Sequence, residues 1–260
     1  MTILDRLAQS ARERVAQASR RISPAEIRRM ALSLPAGDFG FERALSGPGM
    51  AFICECKKAS PSRGLISPEF PYLQIATEYE RAGAEAISVL TEPEWFLGSD
   101  AILREIAGQV RLPCLRKDFT VDAYMLYEAR LLGASAALLI CAILDEAQLR
   151  DDLDVCDALG LSALVECHDE AEIDMALHAG ARVVGVNNRN LKDFSVDTGH
   201  SGRLRERIPR DVLFVSESGI RTREDVAALE RLGVDAVLVG EALMTSPDKG
   251  ARLRELRGEA

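Results

Sequence analysis

Several short apolar runs in this sequence stop at residues that can move protons or hold anions. One reads Ile53-Cys54-Glu55-Cys56-Lys57 and continues into Ser60-Pro61-Ser62-Arg63-Gly64. Others end in Leu115-Arg116-Lys117, Leu164-Val165-Glu166, Asn187-Asn188-Arg189, Ser216-Glu217-Ser218-Gly219 and Gly240-Glu241. If each run is a strand, alternation puts Glu55 and Lys57 in phase with Ile53, Lys117 with Leu115, and Glu166 with Leu164. Taken singly, a charge after a strand is usually a solvated loop residue or half of a surface ion pair. Taken together they resemble a site, because an inward charge loses hydration unless opposite charges or a ligand compensate it. Lysines and glutamates so placed hold one another ionised, while burial and like charges push back and tune acid–base groups toward neutral pH. Ser218-Gly219-Ile220 and Val239-Gly240-Glu241 each precede a helical segment, where exposed backbone N–H groups suit a phosphate.

The elements that must position these residues are marked by a weak repeat: a small or aliphatic residue, Gly, two residues, and usually Ala. Copies stand at Ala82-Gly83-Ala84-Glu85-Ala86, Leu132-Gly133-Ala134-Ser135-Ala136, Leu159-Gly160-Leu161-Ser162-Ala163 and Leu232-Gly233-Val234-Asp235-Ala236, with a variant at Ala179-Gly180-Ala181-Arg182-Val183. Each copy follows an amphipathic run and precedes an apolar one, as expected of a helix that ends on a left-handed glycine and turns into a buried strand. Strands covered on both faces are predicted at 51–56, 86–90, 113–115, 136–140, 163–165, 183–186, 212–215 and 236–239. Helices are predicted near 71–82, 99–109, 121–132, 145–159, 169–179, 201–208, 222–232 and 248–257.

Residues 50–260 give about 26 per unit for eight units, so the fold class is α/β, a single (β/α)8 TIM barrel. An open doubly wound sheet is the alternative, but it calls for a G-x-G-x-x-G turn that is not present. Residues 1–49 are expected to form an N-terminal helical extension packed on the barrel. Ile3, Leu4, Leu7, Ala8, Ala11, Val15 and Ala18 recur at helical spacing, and Ser23-Pro24-Ala25-Glu26 reads as a capping box. Two helices are expected there, either bracing one end of the barrel or partly covering the site.

Composition sets limits on function. The 260 residues are 47% hydrophobic and 28% charged, which supports a large core and excludes a collagen-like, disordered or disulfide-scaffold chain. A net charge of −9 gives no field that would draw nucleic acid or an anionic membrane, so an anionic ligand must be held by local groups. Cys54, Cys56, Cys114, Cys141, Cys156 and Cys167 lack C-x-x-C spacing and read as free thiols of a cytoplasmic protein. His168, His178 and His200 lack a metal-ligand spacing, so no metal is expected. Asp5, Arg6, Arg12, Glu13 and Arg14 stand where a signal peptide needs an apolar stretch, and the most apolar segment, 134–144, is too short to span a bilayer.

The motifs Glu55-x-Lys57-x-x-Ser60-Pro61-Ser62-x-Gly64, Leu115-Arg116-Lys117-Asp118-Phe119, Val165-Glu166, Asn187-x-Arg189-x-Leu191, Ser216-Glu217-Ser218-Gly219-Ile220 and Val239-Gly240-Glu241-Ala242-Leu243-Met244 together resemble the indole-3-glycerol-phosphate synthase family of tryptophan biosynthesis. The resemblance covers essentially the whole chain, including Ala86-Ile87-Ser88-Val89-Leu90-Thr91-Glu92. The first motif is highly specific, whereas the Ser-Gly element is shared with other phosphate-binding barrels. The resemblance implies a carboxy-lyase with no cofactor. It would close the ring of 1-(2-carboxyphenylamino)-1-deoxyribulose 5-phosphate, with loss of carbon dioxide and water, to give indole-3-glycerol phosphate.

On the family pattern, Lys117 is the general acid for condensation and Glu166 its partner base or a hydroxyl-binding group. Glu55 and Lys57 form a coupled pair, with Lys57 near the substrate carboxylate and a candidate acid for dehydration. Asn187 and Glu217 orient the substrate's carboxylate, amine or hydroxyls. Ser60, Arg189, Ser218, Gly219, Gly240 and Glu241 line the polar and phosphate side, Glu241 through its backbone N–H because its carboxylate would repel phosphate. Phe119, Leu139 and Leu191 are candidates for an apolar wall around the aromatic ring. Lys58 and Ser62-Arg63-Gly64 lie on a long first loop that either closes over the phosphate or stays solvated.

The implied partner is a small anionic sugar phosphate rather than nucleic acid or membrane, with room for association with other tryptophan-pathway enzymes. Two rivals stand beside this reading: a Schiff-base aldolase with Lys117 as nucleophile, and a catalytically silent barrel, which has no use for converging inward charges.

Overall fold

A computed structural model describes residues 2–190 and 194–259. Three helices come first: α1 (Ile3–Ala18), α2 (Pro24–Leu32) and α3 (Gly40–Leu45). Eight parallel strands follow: β1 (Ala51–Cys56), β2 (Ala86–Leu90), β3 (Cys114–Lys117), β4 (Ala136–Ile140), β5 (Ser162–Cys167), β6 (Val183–Asn187), β7 (Leu213–Glu217) and β8 (Ala236–Val239). Each pairs with its neighbour in sequence, and β1 closes the ring against β8. Between and after them run α4 (Tyr72–Arg81), α5 (Asp100–Gln109), α6 (Ala123–Leu131), α7 (Glu146–Leu159), α8 (Glu170–Ala179), α9 (His200–Leu204), α10 (Arg223–Leu232), α11 (Glu241–Met244) and α12 (Lys249–Arg257). This is the (β/α)8 TIM barrel expected from the spacing of the apolar runs.

Local chemistry accounts for the alternation. Ser99, Asp122, Asp145, Asp169, Thr222 and Asp248 each accept a backbone N–H in the first turn of the helix they precede. At the other ends the repeat glycines Gly83, Gly133, Gly160, Gly180 and Gly233 all have φ between 62° and 98°. Each lets the chain leave its helix in the left-handed region and enter the next strand within a few residues.

Side-chain alternation splits the strands into two apolar layers. Ile53, Leu115, Leu138, Ile140, Leu164, Val215 and Leu238 fill the barrel interior, while Phe52, Cys54, Ala137, Leu139, Val165 and Val237 pack outward under the helices. Four strands run past the apolar residues that announce them. Lys117 pairs with Leu90, Glu166 with Ile140, and Asn187 with Glu217 in the ladders themselves. The polar residues that end the runs therefore sit on rigid strand rather than on loop.

The three helices ahead of β1 number one more than expected; α1 and α3 take opposite ends of the barrel, while α2 packs on the outer helices α6 and α7. Phe41 and Leu45 of α3 are fully buried in the interior cluster, and the α3 backbone N–H of Glu42 donates to Ser162 Oγ at the start of β5. Leu7, Ala8 and Ala11 of α1 join the same cluster from the opposite, C-terminal end. Helix α3 is too short to show a period and forms because its apolar pair plugs the barrel floor.

The stretch entering α3 lies against the end of α7, where Gly37 N–H donates to Leu159 O at 2.9 Å. A Cβ on Gly160 (φ 62°) would stand 2.2 Å from Gly37 O, whereas a Cβ on Gly83 (φ 85°) meets nothing within 4 Å. Gly83→Ala is expected to cost about 1 kcal/mol for its left-handed backbone. Gly160→Ala adds overpacking against backbone and is expected to lose at least about 2 kcal/mol more. Denaturant midpoints measure both, and equal losses would refute the close approach.

Candidate active site

One cavity opens at the C-terminal ends of the strands, and the charged residues singled out in the sequence converge on it. Glu55, Lys57, Ser60, Lys117, Phe119, Glu166, Asn187, Arg189, Glu217, Ser218, Gly219, Gly240 and Glu241 all line it. Leu139 does not. It points outward into the layer beneath the helices, and Leu138 and Ile140 face the cavity in its place. Leu191 lies outside the described residues.

The cavity floor is a network of opposite charges. Lys117 Nζ is 3.1 Å from Glu166 Oε2 and 3.7 Å from Glu217 Oε2. A second pair, Lys57 Nζ to Glu55 Oε2 at 2.6 Å, stands beside it at the end of β1. Asn187 Nδ2 donates to Glu166 Oε1 at 3.0 Å, while Asn187 Oδ1 accepts the Arg189 backbone N–H at 3.0 Å. The Glu166 and Glu217 side chains are each 2% exposed, so water screens these charges little.

This crowding separates the protonation states. Burial pulls Lys117 down, but the carboxylates of Glu166, Glu217 and Glu55 outweigh it and raise its pKa, fixing it as an ammonium. Burial also opposes ionisation of Glu166, yet Lys117, His168 and Asn187 together hold it well below the usual carboxylate range. Glu217 goes the other way: burial, and then repulsion from Glu166, push it up to about 8. Its Oε1 has no hydrogen-bond partner among the described residues. One carboxylate thus stays charged and its neighbour holds a proton at neutral pH, the arrangement by which two acids take different roles.

Two glycines make the network possible by leaving space. A Cβ on Gly240 would fall 2.3 Å from Glu55 Oε2, and one on Gly185 would fall 2.3 Å from Glu217 Oε1. On the polar side, Ser218 (φ 67°) and Gly219 (φ 82°) form a left-handed turn after β7. Such a conformation at a non-glycine residue needs support. Asn188 Nδ2 supplies it by donating to Ser218 O at 3.0 Å and Ser216 Oγ at 3.1 Å, while Asn188 Oδ1 accepts from Ser201. The Glu241 carboxylate turns toward Arg63, Arg221 at 3.4 Å and Arg189 at 3.9 Å, away from a role as phosphate ligand. Arg63 thereby ties the first loop to α11, which follows the neighbouring strand β8.

Several contributors were not singled out in the sequence. Ile3, Leu4 and Leu7 of α1 form part of the cavity wall. Asp118, next to Lys117, accepts from Arg14 of α1 at 2.6 and 3.0 Å and from Thr91 at 2.5 Å. Glu92 accepts three backbone N–H groups, including that of Phe96, whose ring stands 6.1 Å from Phe119 and extends the apolar wall. His168 touches Glu166, a contact that the absence of metal-ligand spacing does not reveal. Its position two residues after Glu166, in the same phase, was the available signal.

Comparison with known proteins agrees with this geometry. A family profile described as indole-3-glycerol phosphate synthase matches residues 4–256. An indole-3-glycerol phosphate synthase of Ruminiclostridium cellulolyticum is 55% identical over 259 residues, covering 99% of this chain and 100% of the relative. One from Endomicrobium trichonymphae is 51% identical, covering 98% and 99%. A solved 3-hexulose-6-phosphate synthase shares the barrel with a TM-score of 0.66 over 81% of this chain and 99% of its own, at 14% identity. At that identity the last likeness bears on fold alone. Among the described residues no helix is long and apolar enough to cross a membrane. With converging strand-end charges and a profile match across nearly its whole length, the chain belongs to the indole-3-glycerol phosphate synthase family.

Proposed function

We propose that this chain closes the ring of 1-(2-carboxyphenylamino)-1-deoxyribulose 5-phosphate, releasing carbon dioxide and water to form indole-3-glycerol phosphate. The observation that carries the mechanism is the buried Lys117 ammonium between Glu166 and Glu217. As the ring carbon that bears the carboxylate attacks the ketone, Lys117 gives its proton to the developing alkoxide. Carbon–carbon cleavage then releases carbon dioxide and restores the aromatic ring. In the last stage the new hydroxyl leaves as water with an acid's proton while a base removes a proton from the adjacent carbon.

Glu166, held ionised, suits the base or a hydroxyl acceptor. Glu217, holding a proton at neutral pH, suits a hydrogen-bond donor that orients the substrate. Lys57, anchored by Glu55, suits the substrate carboxylate and the acid of dehydration. Ser60, Arg189 and the turn at Ser218-Gly219 suit the polar and phosphate end, and Phe119, Phe96, Leu138 and Ile140 the aromatic ring. A Schiff-base role for Lys117 requires a neutral amine, which the ionised Glu166 beside it opposes. The six buried free thiols suit a reducing compartment, which supports a cytoplasmic enzyme.

Lys117→Ala is expected to lower turnover by about 10²- to 10⁴-fold, followed by the fluorescence of the indole product. Unchanged turnover would remove Lys117 from the reaction. Glu217 yields a second test. Folded, it holds its proton up to about 8, while its ordinary value is 4.5. The stability this contributes is complete below the ordinary value and is lost as pH rises through about 8, since the folded state binds more protons in that window. Glu217→Gln, which mimics the protonated acid, is expected to flatten the decline of the thermal midpoint over this range. Parallel declines in parent and variant would contradict the assignment.

A further inference from the structure

His168 has no part in the proton transfers assigned above, yet it touches the carboxylate at their centre. It follows β5 by one residue, in phase with Glu166, and the two share the cavity end of the barrel. His168 Nε2 lies 3.3 Å from Glu166 Oε1. The nitrogen is buried with no hydrogen-bond partner among the described residues, so the ion pair with Glu166 is what compensates it. On the other side of the ring, Nδ1 is 3.1 Å from Glu172 Oε2, which also accepts the His168 backbone N–H at 2.7 Å. A chain of alternating charge therefore runs inward from the rim: Glu172, His168, Glu166, Lys117.

The chain bears on a choice the site must make. Two buried carboxylates, Glu166 and Glu217, compete for one ammonium, and like charges this close do not both ionise cheaply. Glu166 has a second cation beside it and an amide donor on the same oxygen, whereas Glu217 has an unpartnered oxygen. We propose that His168, anchored by Glu172, is a positioning residue for the ring-closure reaction: it holds Glu166 as a carboxylate with Oε2 toward Lys117 and sends the shared proton to Glu217. This rests on the ring-closure reading of the site.

The charge states agree with the geometry. Burial lowers the His168 pKa, but its contacts with Glu166 and Glu172 outweigh that and push it up to about 10, so it is an imidazolium at neutral pH. The charged groups around this pair are Lys117 on β3, Glu55 on β1 with Lys57 just beyond it, Glu217 on β7 and Glu172 on α8. His200 of α9 meets the His168 carbonyl at 2.8 Å through Nε2, and its Nδ1 faces Arg203 at 3.4 Å. Loss of the imidazolium withdraws support from ionised Glu166 and raises its pKa, so the acid limb of the rate profile moves to higher pH.

The test is kcat and KM against pH for the full-length parent, His168→Gln and Glu172→Gln, with thermal midpoints alongside. Glutamine keeps a donor near the Nε2 position and removes the charge. His168→Gln is expected to keep KM within about two-fold, to lower kcat about ten-fold at neutral pH, and to move the acid limb up by at least about one pH unit. Glu172→Gln should shift both in the same direction by less. A folded His168→Gln with an unchanged acid limb, or with a raised KM and an unchanged kcat, overturns the proposal. If His168→Gln lacks a cooperative thermal transition, Glu172→Gln decides by the same criteria. A parent that forms no indole product would instead defeat the ring-closure reading, independently of His168.

Discussion

The structure is organised around one buried cation. Lys117 Nζ sits at the mouth of the barrel with Glu166 and Glu217 in reach and Glu55 in its field. Removing an ammonium from water costs several kcal/mol that only close opposite charges return. That constraint dictates the rest of the site. An ionised carboxylate is needed to hold the lysine charged, and two cannot both be ionised beside it without further compensation. The pair resolves into a charged Glu166, supported by Asn187 and His168, and a protonated Glu217, given room by a glycine at 185.

The fold supplies what such a cluster requires, namely fixed positions in a dry setting. Lys117, Glu166, Asn187 and Glu217 are ladder residues of four strands, so their spacing follows from barrel register rather than loop conformation. Below them an apolar interior column excludes water, and above them α1 contributes Ile3, Leu4 and Leu7. The bidentate contact of Arg14 with Asp118 fastens that helix to the residue following Lys117, so cover and catalytic strand are one unit. Asn188 does the equivalent on the polar side by holding a left-handed serine in place.

Much of this was legible in the sequence because the repeat and the alternation have direct physical causes. A glycine at each helix end announced a left-handed exit, and all five copies have one. Where a charged residue ended an apolar run, its phase fixed the inward face, which is why Glu55, Lys57, Lys117 and Glu166 all reach the cavity. The run at 136–140 carries no polar residue to set its phase, and Leu139 was placed on the wrong face. The register of Ile140 beside Glu166 settles the phase, and register is a tertiary property. Helix α3 was invisible for a related reason: six residues show no period, and the barrel floor they fill does not exist until the strands close. The role of Asp118 was hidden because its partners, Arg14 and Thr91, lie on distant segments, whereas those of Glu92 are backbone amides of the next few residues.

The most direct test is the charge of Lys117 itself. Titration of the folded protein followed by NMR of a lysine labelled at the ε-carbon and ζ-nitrogen, assigned with Lys117→Arg, reads that charge. The account requires an ammonium that shows no deprotonation through neutral pH and well into the alkaline range. A Lys117 that titrates near neutrality would be a free amine poised for imine chemistry, and the view of this barrel as a proton-transfer catalyst built on a buried cation would fall.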